Sequence, residues 1–308
     1  MRGISNNFIK NLKDGILKPI LEYIKEDSNL ILEIRNDYIN IYYRGGNLLK
    51  ISEKTIGISK YDFYFNNKYI LNPNKTNVKI TNNMKVIDST NPKDVEKWID
   101  IIPHIKYEMD KWLSKYKKLE KEYQQTIVRE NNIDLAKSTD YFICDIENAK
   151  GKGRYDLIAV KWISNGAKRK SGKNLRLAFV ELKFGDGSLK GSSGLEKHIK
   201  DVDEFLSNQK NIDNIKEEMK KTFNQKLELC LIENQNKIES FSDEKPEYIL
   251  VLANHDPDST LLRIELKKIQ PSENFELKIA TSNFMGYGLF QEAIYTLDEF
   301  KKKFCEQI

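Results

Sequence analysis

The sequence predicts a mixed α/β protein in which an N-terminal, antiparallel β-rich region precedes a core of covered strands and helices. Three observations carry this. Between Leu30 and about residue 90, apolar and polar residues alternate with a period of two, broken by Gly and Asn pairs. Three later segments, "DYFICDIE", "RYDLIAVKW" and "RLAFVELKF", are apolar on both faces and rich in β-branched or aromatic residues, as strands inside a covered sheet are. Around them, charged stretches repeat apolar residues at helical spacing.

Taken in order, residues 8 to 25 place Ile9, Leu12, Ile16, Ile20 and Tyr23 on one helical stripe, interrupted near Pro19. "LILEIR", "YINIYYRGGNLLKI" and "YDFYFNNKYIL" read as strands, with Gly45-Gly46 and Asn66-Asn67 as hairpin turns. A helix starts after Asn91-Pro92, and Pro103 is expected to kink or end it. From 106 to 132 a second helical pattern keeps Trp112, Leu119, Tyr123 and Ile127 to one stripe. After the three covered strands, Ser193-x-x-Glu196 spells a capping box before a helix carrying Leu195, Ile199, Val202, Phe205 and Leu206. A polar helical stretch over 211 to 240 leads to the buried-type strand "EYILVLANHD", and the tail adds "LLRIELKKI" and "NFELKIA" as strands and a helix at about 290 to 304.

With 308 residues and 39% hydrophobic content, the chain can bury one large core or two ordinary ones. A division near residue 105 gives regions 1–105 and 106–308. Lys and Arg exceed Asp and Glu by 51 − 46 = 5, a balance that permits an anionic partner without requiring one. Cys144, Cys230 and Cys305 are odd in number and widely spaced, which argues against a disulfide framework or a zinc site. The N-terminus lacks an unbroken apolar stretch of signal-peptide or membrane-spanning length, so a soluble cytoplasmic protein without membrane contact is expected.

The tripeptide Glu-Leu-Lys occurs three times, at Glu181, Glu265 and Glu276. An acid two places before a base arises by chance roughly eight times in a chain of this composition, so context must separate the copies. Read as strands, the second and third put their charges on a polar face. In "RLAFVELKF" the face carrying Glu181 and Lys183 also carries Leu177 and Phe179, so two charges end a buried stripe. A buried salt bridge is the plain explanation. The preceding strand suggests another, because Asp156 opens a face continued by Ile158, Val160 and Trp162. If the two strands form a hairpin through "SNGAKRKSGKN", Asp156 meets Glu181. Two adjacent carboxylates call for a cation between them, and oxygen donors select Mg²⁺, Mn²⁺ or Ca²⁺ over zinc.

An Asp at the start of one strand followed by Glu-x-Lys near the end of the next resembles the PD-(D/E)XK nuclease superfamily, with its restriction-endonuclease-like fold. Asp156, Glu181, Leu182 and Lys183 match the pattern, and Tyr155 stands where the signature has Pro. The order helix, three strands, helix, strand over about residues 106 to 255 agrees with the αβββαβ core that the resemblance implies, while residues 1 to 105 lie outside it. The resemblance implies a nuclease that cleaves phosphodiester bonds in DNA, preferred over RNA, with Mg²⁺ or Mn²⁺ held by Asp156, Glu181 and the Leu182 carbonyl, Lys183 orienting water, and a homodimer left open. It also implies an acid from the first core helix. Seven strand residues span about 23 Å, a distance that takes about 15 helical residues. Counting back from residue 132 favours Glu122 or Glu120 over Glu130; Glu122 is the choice, against a solvated surface glutamate. Glu147, which shares a face with Asp145, could join the metal shell or cap a loop. Lys150, Lys152 and Arg154 in "NAKGKGR", and His198 on the covering helix, are candidates for holding nucleic acid, against a solvated turn and a polar-edge histidine. Two alternatives stand beside catalysis: a nuclease fold without turnover that binds nucleic acid or protein, and an N-terminal region that recognises a protein partner.

Overall fold

The computed structural model describes residues 1–54, 56–57, 59–76, 92–150, 153–191, 194–233, 235–255, 259–282 and 294–305. The chain divides into two compact units, Met1–Gln125 with Glu228–Leu231, and Thr126–Leu227 with Ile232–Ile308. Both are mixed in class, the first built on an antiparallel sheet and the second on a mixed one.

In the first unit two helices, α1 (Asn6–Lys13) and α2 (Lys18–Glu26), replace the single interrupted helix expected there. The break falls before Pro19, which sits in the first turn of α2, where its missing N–H removes no helical bond. Strands β1 (Leu30–Ile34), β2 (Tyr38–Tyr43), β3 (Gly46–Glu53) and β4 (Tyr61–Tyr64) form an antiparallel sheet in chain order. Arg44 and Gly45, with φ of 45° and 75°, make the β2–β3 hairpin turn. Asn66-Asn67 is no hairpin turn; the chain enters a 3₁₀ turn at Asn67–Tyr69 instead. The expected strand continuation over 77–90 lies outside the described residues.

Helix α3 (Pro92–Lys115) runs on past Pro103, so of the kink or end expected there the end does not occur. Its buried stripe explains why: Val95, Trp98, Ile102, Ile105, Met109 and Leu113 all join the first unit's core, with Trp98 stacked on Phe63 at 5.5 Å. That burial outweighs the roughly 3 kcal/mol an internal proline costs. The same packing carries the unit's boundary past residue 105, to between Gln125 and Thr126 inside α4 (Leu119–Arg129).

The second unit holds a six-stranded sheet in the order β10-β9-β8-β7-β6-β5. Strands β5 (Tyr141–Lys150), β6 (Gly153–Lys161) and β7 (Arg176–Phe184) are the three expected covered strands, and they pair antiparallel. Strand β8 (Glu247–Ala253) lies parallel to β7, β9 (Glu276–Ser282) parallel to β8, and β10 (Ile294–Thr296) antiparallel to β9. A short helix, α5 (Gly166–Arg169), lies in the connection from β6 to β7, and helices α6 (Leu195–Leu206) and α7 (Gln209–Glu228) cross over between β7 and β8. Ser193 lies outside the described residues; the N-cap of α6 is Gly194, without a side-chain cap. Phe142, Val160, Phe179, Tyr248, Val202 and Phe223 mark the core between this sheet and its helices.

"LLRIELKKI" is helical, not a strand: α8 (Thr260–Lys268) opens on Ser259, whose hydroxyl accepts the Leu262 N–H at 3.0 Å. Leu262 and Leu266 are buried and Ile264 is 49% exposed, a spacing of four that alternation misreads over a short segment. No helix among the described residues is long and apolar enough to cross a membrane.

Candidate active site

Pairing of β6 with β7 runs from Lys161↔Arg176 to Leu157↔Val180, so the start of one strand reaches the last part of the other. One residue beyond the final pair, Asp156 Oδ2 accepts the Leu182 N–H at 2.8 Å. The N–H and C=O of one strand residue leave on the same edge, so the Leu182 carbonyl opens on the edge that Asp156 occupies. Lys183 Nζ donates to Glu181 Oε1 at 2.8 Å, and each of the two side chains is only 4% exposed. From the first turn of α6, His198 Nδ1 approaches the same oxygen to 2.6 Å. Lys183 and His198 thus meet on Glu181, Asp156 takes the N–H of the residue next to it, and His198 turns inward to a carboxylate.

Asp156 does not continue the buried row of Ile158 and Val160. That place goes to Tyr155, whose ring centroid lies 4.4 Å from Phe179 and 5.7 Å from Phe205 in the core. Where β6 and β7 part, the Asp156 carboxylate takes the backbone donor that a continuing ladder would have satisfied. A tyrosine in place of the signature proline therefore has a packing role here.

Two hydroxyls beneath the cluster are unusual. Tyr248, facing Phe179 across β8 and β7, is fully buried, and its hydroxyl has no hydrogen-bond partner among the described residues. The same holds for the Tyr155 hydroxyl. Burial, and then the negative charge of Glu181 and Asp156, pushes the Tyr248 phenol well above its ordinary range. Asp186, in the turn directly after β7, likewise has a buried Oδ1 without a partner among the described residues. Sequence reasoning passed over all three. A hydroxyl inside the otherwise aliphatic "EYILVLA" was the available signal, since buried tyrosines usually find a partner.

Glu122 belongs to the first unit, where Arg44 Nε holds its carboxylate at 2.8 Å, a different setting from the metal ligation expected of it. Lys150 ends β5, facing Gly153 across the hairpin. Arg154 is exposed near the start of β6, and Lys152 lies outside the described residues. Asp145 is fully buried and accepts Asn148 Nδ2 at 2.7 Å. Between the pairs Ile146↔Leu157 and Asn148↔Tyr155, Glu147 stands opposite Asp156 with a left-handed φ of 49°.

The donor set suits a hard cation in a limited way. Asp156, Glu181 and the Leu182 carbonyl supply three oxygens, and Mg²⁺ commonly takes one or two carboxylates and completes its shell with water. Among the described residues no group of three His, Cys, Asp or Glu side chains is placed to hold a metal, and Glu181 Oε1 is already engaged by two nitrogens. No protein-family model matches the chain, and neither does any curated protein or solved structure.

Proposed function

We propose that the chain is a metal-dependent nuclease of the PD-(D/E)XK kind, hydrolysing phosphodiester bonds in DNA from a site at the ends of β6 and β7. The observation that carries this reading is that Asp156 accepts the N–H of Leu182, the residue between Glu181 and Lys183, which pair with each other on the neighbouring strand. The order α4, β5, β6, β7, then α6 and α7, then β8, with β5 to β7 antiparallel and β8 parallel to β7, supports a restriction-endonuclease-like core in which two helices occupy the crossover.

Asp156, Glu181 and the Leu182 carbonyl would hold Mg²⁺ or Mn²⁺, whose chemistry when bound is Lewis acidity toward water and a phosphoryl oxygen. Lys183, nearly enclosed and held by Glu181, carries a positive charge to where a phosphate oxygen gains negative charge, in surroundings that screen it little. His198 competes with Lys183 for one oxygen, so it can hold the Glu181 carboxylate in place while the ammonium turns to substrate. Incubating the purified chain with circular and linear DNA and RNA plus Mg²⁺ or Mn²⁺, beside Lys183→Ala, tests the proposal. Cleavage by the unaltered protein alone is expected. Equal cleavage by both proteins, or none by either, overturns it.

A second reading, a nuclease fold without turnover, is favoured by one observation: Lys183 and His198 already meet on Glu181 Oε1. On that reading the ions form a structural network, and Lys183→Met lowers thermal stability by leaving the Glu181 carboxylate buried without its ammonium, while binding of Mn²⁺ is the same with and without Asp156→Asn. A bound ion that Asp156→Asn abolishes supports the catalytic site instead.

A further inference from the structure

The end of α3 carries a surface that the proposed site does not use. Trp112 is half-buried, whereas the other two tryptophans, Trp98 and Trp162, are 0% and 1% exposed. Its ring lies 4.8 Å from Tyr116 and meets Tyr69 edge-on at 5.2 Å. Tyr116 is 46% exposed. Ammonium groups sit over all three rings: Lys118 at 5.6 Å from Trp112, Lys115 at 5.4 Å from Tyr116, and Lys68 at 4.9 Å from Tyr69.

These lysines are not neutralised. Lys68, Lys115 and Lys118 form no ion pair among the described residues, in contrast to Lys111, which reaches Glu108 at 2.7 Å. Burial, and then the charge of Lys118, lowers the Lys68 pKa from its ordinary value, so the two ammoniums stand close enough to repel. Unpaired like charges gathered over the exposed Tyr116 and the half-buried Trp112 call for a ligand that is both anionic and flat. A membrane surface fits less well, because Leu113, the aliphatic residue next to Trp112, is buried, and the exposed chain neighbours Ser114 and Lys117 are polar.

We propose that this surface of the first unit binds single-stranded nucleic acid, with bases stacking on Tyr116 and Trp112 and phosphates taken by Lys68, Lys115 and Lys118. It does not rest on the nuclease reading, and its test omits divalent ions and reads binding alone.

Trp112 reports directly, since the other two tryptophans are shielded. Titration of the full chain with oligothymidylate is expected to quench tryptophan emission. Tyr116→Ala is expected to weaken binding about tenfold while Tyr116→Phe retains it. Replacing Lys115 and Lys118 together by Gln is expected to reduce the slope of log K against log salt by about 1.4, about 0.7 for each phosphate no longer held. All these side chains lie at the surface, so unchanged melting temperatures accompany the result. Absence of quenching, affinity indifferent to these substitutions, equal binding of a duplex without quenching, or binding only to phosphatidylserine vesicles would each overturn the inference.

Discussion

The two ends of the six-stranded sheet each bury a glutamate, and they treat it differently. At one end Glu247, with no exposed side-chain surface, takes Lys161, Arg176 and Lys278 on Oε1 at 2.8 to 2.9 Å and the Tyr141 hydroxyl on Oε2 at 2.6 Å. Arg176 and Lys278 continue to Glu276, so positive and negative groups alternate through a closed network. At the other end Glu181 meets Lys183 and His198 on one oxygen, and the tyrosine hydroxyls nearby have no partner among the described residues. A closed network stabilises the fold and leaves nothing for a ligand to do. Unsatisfied polar groups beside a buried carboxylate are what a site would retain, because substrate or solvent completes it.

The largest expected effect lies at the closed end. Glu247→Gln leaves three cations without the negative charge they share and is expected to cost about 3 kcal/mol in chemical denaturation. Glu181→Gln is expected to cost less, since two nitrogens share its one engaged oxygen where three cations and a hydroxyl gather on Glu247. Equal costs at the two ends would break the comparison.

Acid sharpens it further. Burial alone would raise the Glu247 pKa, but hydrogen bonds from Lys161 and Tyr141 and the charges around it lower it below the ordinary 4.5. A carboxylate with a depressed folded-state pKa contributes stability that is present above the unfolded value and lost as pH falls through the folded one. Unfolding free energy is therefore expected to fall as pH drops below about 4.5, and this component should be missing from Glu247→Gln. A parallel acid response in both proteins would count against the assignment.

The two tyrosines provide the smallest and most specific contrast. Tyr141→Phe removes a hydrogen bond to a charged group and is expected to destabilise by about 2 kcal/mol. Tyr248→Phe removes a hydroxyl that has no partner among the described residues and is expected to stabilise by about 1 kcal/mol or leave stability unchanged. Thermal unfolding of the pair decides; a large loss of stability in Tyr248→Phe would mean that its hydroxyl is satisfied in solution.

Much of the second unit was legible in the sequence. Runs apolar on both faces located β5, β6 and β7, and Glu181 and Lys183 stood out because they end such a run. The hairpin pairing that brings Asp156 to Leu182 followed from the short connection. Other features were illegible for definite reasons. Nine residues of α8 are too few for periodicity to separate a helix from a strand when Ile264 and Leu266 can be read either way. The continuation of α3 through Pro103 depended on what its stripe packs against, which local propensity does not encode.

The sequence by itself determined which residues had to be covered, because apolar period and charge position are local properties: it marked Glu181 and Lys183 as charges placed among buried neighbours. Only the tertiary structure decided what those charges meet. His198 reaches Glu181 because α6 packs across the sheet, Tyr155 displaces Asp156 from the core row because β6 and β7 part there, and Glu122 pairs with Arg44 because α4 begins within the first unit. Partners of this kind are set by contacts between residues far apart in the chain, and no local pattern carries them.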